Sequence, residues 1–340
     1  MIPETMHTVV PYGVGDVRLD RRPVPVPGPD EVLIRVLAVG TSGSDVHSYE
    51  HGRIGDFVVE EPLVLGHEPS GVIVARGANA WRHEIGQRVA LEPGVPCSTC
   101  ARCAAGRYDL CPRMRFFGTP PIDGAFREYV VLREDFAHPV PDSLSDEAAS
   151  LLEPLSVGVW ACRKSRVAPG SRVLITGAGP IGLAATRTAR AFGATEVVVT
   201  DVNARHLRVA WELGATATVD VSRESLADTD FDPDVLLECS GAAVAAGQGI
   251  GKLGRAGRAV SIGMGGDEIP LPPAHVQGFE IELTGTFRYA NTWPTAIARA
   301  ANAEADLECL VTHRFGRSEV ELALTIAAKD DSVIKAVVRA

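Results

Sequence analysis

The stretch Arg172-Val-Leu-Ile-Thr-Gly177-Ala-Gly179-Pro-Ile-Gly182-Leu-Ala-Ala decides the architecture, together with the run Glu196-Val-Val-Val-Thr that ends in Asp201, nineteen positions beyond Gly182. An apolar strand runs into a G-x-G-x-x-G turn, and the turn runs into an Ala-rich helical pattern. The first glycine permits the tight turn, the second lets a diphosphate approach the backbone, and the third lets helix and strand pack closely. The positive end of the helix beginning near Pro180 and Ile181 then faces the phosphates. Asp201 stands where a carboxylate accepts hydrogen bonds from an adenosine ribose and repels a 2′-phosphate, so the spacing predicts NAD over NADP. Arg205 lies close enough to leave some NADP use open, and a cap on the helix starting near Ala204 is the competing role for Asp201.

Outward from this motif, alternation of apolar strands and helical stretches continues from about residue 171 through VLLECS, RAVSIG and IELTGTF. Such alternation predicts a doubly wound parallel sheet and an α/β fold. Residues 1 to about 150 differ: short β-type runs (EVLIRVLAVG, SGVIVARG, QRVALEPG, REYVVL) are punctuated by Gly, Pro and Asp, which predicts a β-rich domain. A helix is expected from about Pro294 to Glu304, and the tail SVIKAVVRA is expected to return to the first domain. The boundaries read as 1–156 with 290–340 for the β-rich domain and 157–289 for the nucleotide domain.

The chain has 340 residues, 46% of them hydrophobic, which suffices for two domains with their own cores. A net charge of −10 and a pI near 5.4, without a Lys/Arg cluster, argue against nucleic acid or an anionic membrane as partner. No stretch approaches a membrane span, and a cytoplasmic location is expected. Of seven cysteines, Cys97, Cys100, Cys103 and Cys111 crowd into one segment of a lobe spanning about residues 94–113. Four thiolates at that spacing suit tetrahedral zinc with a closed, structural shell, and a disulfide framework fits a reducing compartment poorly. Cys162, Cys239 and Cys309 read as small buried hydrophobes.

The segment GTSGSDVHSYEHGRIGDFVVEEPLVLGHE, residues 40–68, resembles the catalytic-domain motif of medium-chain zinc-dependent alcohol dehydrogenases in their polyol-oxidising, sorbitol/xylitol branch. The likeness extends through the cysteine lobe, LLEPLSVG around Glu153, the glycine turn and GTFRYANTWP, residues 285–294. It implies a GroES-like β-rich catalytic domain, a Rossmann nucleotide domain, NAD as cofactor, structural and catalytic zinc, and a small-molecule polyol substrate. Homo-oligomers, with a tetramer favoured, are implied as well.

Carried over residue by residue, the resemblance places the catalytic metal at Ser42, His67, Glu68 and Glu153. Position 42 departs from the family, which has cysteine there; a hydroxyl is a harder, more weakly acidic donor than a thiolate. Three accounts stand open: an introduced replacement, a natural variant binding zinc through His67, Glu68, Glu153 and water, or a site that has lost its metal. The resemblance further implies a proton relay through Ser44, the nicotinamide ribose and His47. Arg288 and Tyr289 are implied as hydroxyl-binding groups, with Phe117 and Trp293 as apolar walls, and Glu153 as an alternative holder of a metal-bound water. The competing functions are a cyclitol, aminocyclitol or threonine-type dehydrogenase, and an NAD-binding protein whose catalysis Ser42 impairs.

Overall fold

The computed structural model describes residues 1–266, 268–302 and 306–340. It separates into two compact units, Met1–Glu153 with Asp306–Ala340, and Pro154–Ala305.

In the second unit six strands lie in one parallel sheet. Taken in chain order they are Arg172–Thr176, Glu196–Asp201, Ala217–Asp220, Val235–Glu238, Arg258–Ser261 and Glu282–Gly285, and their spatial order is third, second, first, fourth, fifth, sixth. The order reverses between Arg172–Thr176 and Val235–Glu238, the crevice where open α/β sheets bind ligands beyond their strand ends. Unbroken apolar runs such as Val173-Leu-Ile and Val197-Val-Val form the central strands because helices cover both faces, leaving no solvent side to demand alternation. Helix Pro180–Ala191 packs with a face of small residues, Gly182, Ala184, Ala185 and Ala189, all buried. A Cβ on Gly182 would lie 1.8 Å from the Gly177 carbonyl oxygen, so only glycine lets this helix start where the strand ends. On the other face of the sheet, Leu174, Val198 and Leu236 make a core with Ile250 and Leu253.

In the first unit the central strand Glu31–Gly40 pairs antiparallel with Glu68–Arg76, Tyr129–Arg133 and Lys335–Arg339. The sheet continues through Arg88–Leu91 to Ala137–Pro139 on one side and Val311–Gly316 on the other. Val10, Ile34, Ile73, Leu91, Phe126 and Leu132 sit in its core. The C-terminal tail therefore returns to this unit as an ordered strand, placing Val337 opposite Gly40 and Gly40 opposite Glu68.

The return falls at Asp306 and not at 290. Helix Trp293–Ala301 belongs with the nucleotide unit because it buries Trp293, Ala296 and Ala300, and because Arg163 donates to the Asn291 carbonyl at 2.6 Å and to Thr295 Oγ1 at 2.7 Å. The Arg299 guanidinium also stacks over Phe192, 4.9 Å from its centroid. The expected helix end at Glu304 lies outside the described residues. Among the described residues no helix is long and apolar enough to cross a membrane.

Gly182→Ala should cost about 2–3 kcal/mol, the scale of forced overpacking, and lower the thermal midpoint by several degrees. An unchanged melting curve would show that the strand-to-helix turn relaxes without cost.

Candidate active site

The N-terminus of helix Gly43–His51 organises the site. Ser42 is its N-cap: its Oγ accepts from the Asp45 amide at 3.1 Å, and the Asp45 carboxylate accepts from the Ser42 amide at 3.0 Å, a reciprocal capping box. The same hydroxyl donates to Asp45 Oδ2 at 2.8 Å and lies 2.8 Å from Ser44 Oγ. Its donor and acceptor capacity is thus committed to the helix end, where the cap stabilises by about 1 kcal/mol.

Asp45, 2% exposed, also accepts from the Gly66 amide at 2.9 Å and faces His67 Nδ1 at 3.5 Å. Burial pushes its carboxyl upward, but the His67 charge and the hydrogen bonds from His67, Gly66 and Ser42 hold it below its ordinary value. For His67 burial would lower the pKa, yet Asp45, and further Glu153 and Glu68, raise it to about 9. Asp45 went unremarked in the sequence, though its position three residues after a serine cap is a signal for it.

Glu68 and Lys335 form a buried ion pair at 2.7 Å, 2% and 3% exposed. Lys335 also donates to the Thr41 carbonyl at 2.8 Å, just before the capped helix. Gly40 makes the pair possible, since a Cβ there would sit 2.1 Å from Glu68 Oε2. Burial raises the Glu68 pKa, and Lys335 and His67 oppose that rise. Glu68 Oε2 is buried with no hydrogen-bond partner, so one oxygen of this carboxylate remains to be satisfied.

His67, Glu68 and Glu153 present ligand atoms within 4.8 Å of one another. One imidazole and two carboxylates, one of them with a buried oxygen left unpaired, fit a divalent metal of the zinc type and leave a further position open. Ser44 shares the helix end with Ser42. His47 is exposed, its Nδ1–H donating to the Arg53 carbonyl at 2.6 Å, and it stacks on His51 at 4.4 Å. Phe117 is 6% exposed within the core of its unit.

In the cysteine lobe Cys97, Cys100, Cys103 and Cys111 hold their sulfurs within 4.8 Å of one another and form no disulfide. Zn–S bonds of about 2.3 Å imply sulfur–sulfur edges of roughly 3.8 Å. Cys100 Sγ lies 3.5 Å from Cys103 Sγ and 4.0 Å from Cys111 Sγ, which fits. The Thr99 amide and neighbouring donors draw the Cys97 thiol down to about 5, whereas burial and the adjacent sulfurs push Cys103 up to about 12. The Cys103 amide draws the Cys100 thiol down as well, and a cation among the four sulfurs would favour their thiolate forms together.

In the nucleotide unit Gly177 has φ +88 and sits against Ser240, Gly179 caps the helix, and a Cβ on Gly179 would meet nothing within 4 Å. The turn therefore leaves open space before the helix N-terminus, which fits a diphosphate. Pro180 and Ile181 begin the helix half-buried. Asp201 accepts from the Ala178 amide at 2.6 Å and the Asn203 amide at 2.8 Å. Asn203, not Asp201, caps helix Ala204–Glu212, and Arg205 in its first turn is exposed. Glu238, passed over in the sequence, is 4% exposed and accepts from the Ser240 and Gly241 amides, bracing the other side of the crevice.

Arg288 has φ +55 and stacks over Phe287 at 4.7 Å. Tyr289 is 3% exposed and packs edge-on against Trp293, which is 1% exposed, so both rings contribute to the interior of this unit.

Two family models match: residues 28–142 match the alcohol dehydrogenase GroES-like domain, and residues 180–302 the zinc-binding dehydrogenase domain. The chain belongs to the zinc-dependent medium-chain alcohol dehydrogenase superfamily, in its polyol dehydrogenase branch. It is 43% identical to sorbitol dehydrogenase of Bos taurus, covering 92% of this chain and 90% of that protein. It is 40% identical to sorbitol dehydrogenase of Bacillus subtilis, covering 95% and 94%. The solved L-idonate 5-dehydrogenase of Escherichia coli superposes with a TM-score of 0.91 at 29% identity, covering 99% of this chain and 98% of that one.

Lys335→Met strands the buried Glu68 charge and should cost about 3–5 kcal/mol in denaturant unfolding. Adding Glu68→Gln should recover much of that loss; no recovery would mean the ion pair is not its source. In the metal-free protein His67 keeps its proton up to about pH 9, and a metal must displace it. Zinc affinity at this centre should therefore rise with pH by about one log unit per unit until that point, read by chelator competition. A flat profile would contradict the assigned ligand.

Proposed function

We propose that this chain oxidises a secondary hydroxyl of a sugar alcohol to the ketone, with NAD as the hydride acceptor. The observation that carries the reading is the convergence of His67, Glu68 and Glu153, supported by the sorbitol dehydrogenase relatives. When bound, zinc at these three residues supplies Lewis acidity toward an alcohol, and NAD at the Gly177–Gly182 turn supplies the hydride acceptor. Asp45 takes the Nδ1 side of His67, which fixes the ring and leaves Nε2 as donor. Lys335 holds one Glu68 oxygen and leaves the other for the site. Ser42 contributes its hydroxyl to the helix cap, so the ligand set is His67, Glu68, Glu153 and solvent.

Ser44 and His47 are one helical turn apart and are assigned to proton transfer. Because the Arg53 carbonyl holds His47 Nδ1–H, Nε2 is the nitrogen that accepts a proton. Asp201 is assigned to the adenosine ribose and Gly179, Pro180, Ile181 and Gly182 to the diphosphate. Arg288 is assigned to substrate hydroxyls, while the burial of Tyr289 favours a packing role. The cysteine lobe holds a structural zinc, and the working form is a cytoplasmic homotetramer. A second reading, dinucleotide binding with slow turnover, rests on the commitment of the Ser42 hydroxyl to its cap.

The test is Ser42→Cys, compared with the parent for zinc per chain by elemental analysis and for NADH formation on a panel of polyols. Ser42→Cys should retain two zinc per chain through dialysis that strips the second from the parent, and raise the rate at least about tenfold, since a thiolate outranks a hydroxyl as a zinc ligand. Unchanged zinc and unchanged rate would overturn the metal assignment.

A further inference from the structure

The first unit holds a cavity of about 620 Å³, within the range of small-molecule sites, with none of His67, Glu68 or Glu153 in its lining. Arg22, Arg115, Arg127 and Asp123 line it, with Glu60 and Glu61. Arg127 is its unusual member. Its side chain is only 13% exposed, its Nε is buried without a hydrogen-bond partner, and its nearest carboxylate, Asp123, stands 3.8 Å away. That carboxylate is already shared: Asp123 accepts from Arg22 at 3.1 Å and, through its other oxygen, from the Val64 amide at 3.0 Å. Among the described residues Glu60 and Glu61 form no ion pair with any of these arginines, and both are exposed, where water screens them.

Two neighbouring guanidiniums thus share the Asp123 carboxylate; Arg22 also has Asp20 at 3.9 Å, whereas the more buried Arg127 is left short of an acceptor. Burial and the repulsion from Arg22 disfavour the Arg127 charge, with Asp123 the carboxylate that opposes them. A buried donor without a partner costs about 1–3 kcal/mol, more when charged, and a planar guanidinium fork is matched by the paired oxygens of an oxyanion. Phe117 and Ile122 supply apolar walls to the same cavity, room for a carbon skeleton behind the anion.

We propose that this cavity is a phosphoryl-binding site, in which Arg127 and Arg22 grip a phosphate group that is either inorganic phosphate or the phosphate ester of a polyhydroxy compound. The inorganic phosphate arm stands apart from the polyol reading; only the substrate arm rests on it.

Calorimetric titration of the whole chain with inorganic phosphate, at fixed ionic strength against a chloride control, tests the site. Saturable binding is expected. Arg127→Met should weaken it by at least about tenfold, the value of one charge-assisted hydrogen bond. Asp123→Asn keeps the oxygen that accepts from Val64 but removes the competing charge, and should tighten binding several-fold. This opposite-signed variant keeps the test decisive if Arg127→Met folds poorly. Polyol and polyol monophosphate kinetics then identify the source. If Arg127→Met lowers kcat/KM for the ester and spares the polyol, the phosphate belongs to a substrate; if it spares both while abolishing phosphate binding, the ligand is the free anion. No saturable phosphate binding by the parent, or affinity indifferent to both substitutions, overturns the proposal. Absence of polyol turnover with phosphate binding intact would instead count against the polyol reading alone.

Discussion

The buried contact between Lys335 and Glu68 is the constraint on which the catalytic unit depends. An ammonium and a carboxylate, both nearly excluded from water, are tolerable only because each has defined partners, and those partners come from distant parts of the chain. Lys335 opens the C-terminal strand, Glu68 opens the strand it meets across Gly40, and the Thr41 carbonyl leads into the capped helix. One side chain therefore fixes the last strand, holds one Glu68 oxygen, and pins the approach to Ser42. A pair of hydrophobes of similar volume would pack as well and do none of this.

Ser42 is best understood against that frame. A serine at the N-cap completes a capping box with Asp45, and Asp45 in turn reaches the Gly66 amide and His67. On the proposed assignment, serine where the resemblance implies cysteine weakens the donor set, while its hydroxyl caps the helix end beside it. The four-cysteine lobe carries the complementary design: four soft donors, close together, with no position left for chemistry. The two candidate metal sites of this unit thus differ in the character of their ligands.

Local chemistry was legible in the sequence and long-range pairing was not. Gly177 to Gly182, Asp201 and the cysteines announce themselves because each acts within a few residues of its neighbours or at a fixed spacing. His67, Glu68 and Glu153 were legible only through family resemblance, since nothing in their spacing shows that a helix start near residue 153 meets the strand start at Glu68. Lys335 lies 267 positions from its partner and looks, in isolation, like any lysine of a terminal strand. The boundary near 290 was misplaced because a helical stretch following the last strand of an alternating sheet carries no sign of which core it joins; Trp293 and the Arg163 contacts decide it. Tyr289 resembles a binding residue by motif, yet a large ring beside Trp293 is also good packing material, and its burial shows that use.

What unites these features is the metal position proposed at His67, Glu68 and Glu153, with Asp45 beside the imidazole and Lys335 beside one carboxylate. Anomalous scattering at the zinc edge, from crystals of the chain grown with zinc, locates this position directly. The account predicts two peaks, one within the four cysteine sulfurs and one bounded by the imidazole of His67 and the carboxylates of Glu68 and Glu153. A single peak in the cysteine lobe, from protein that nevertheless oxidises a polyol with NAD, would contradict it.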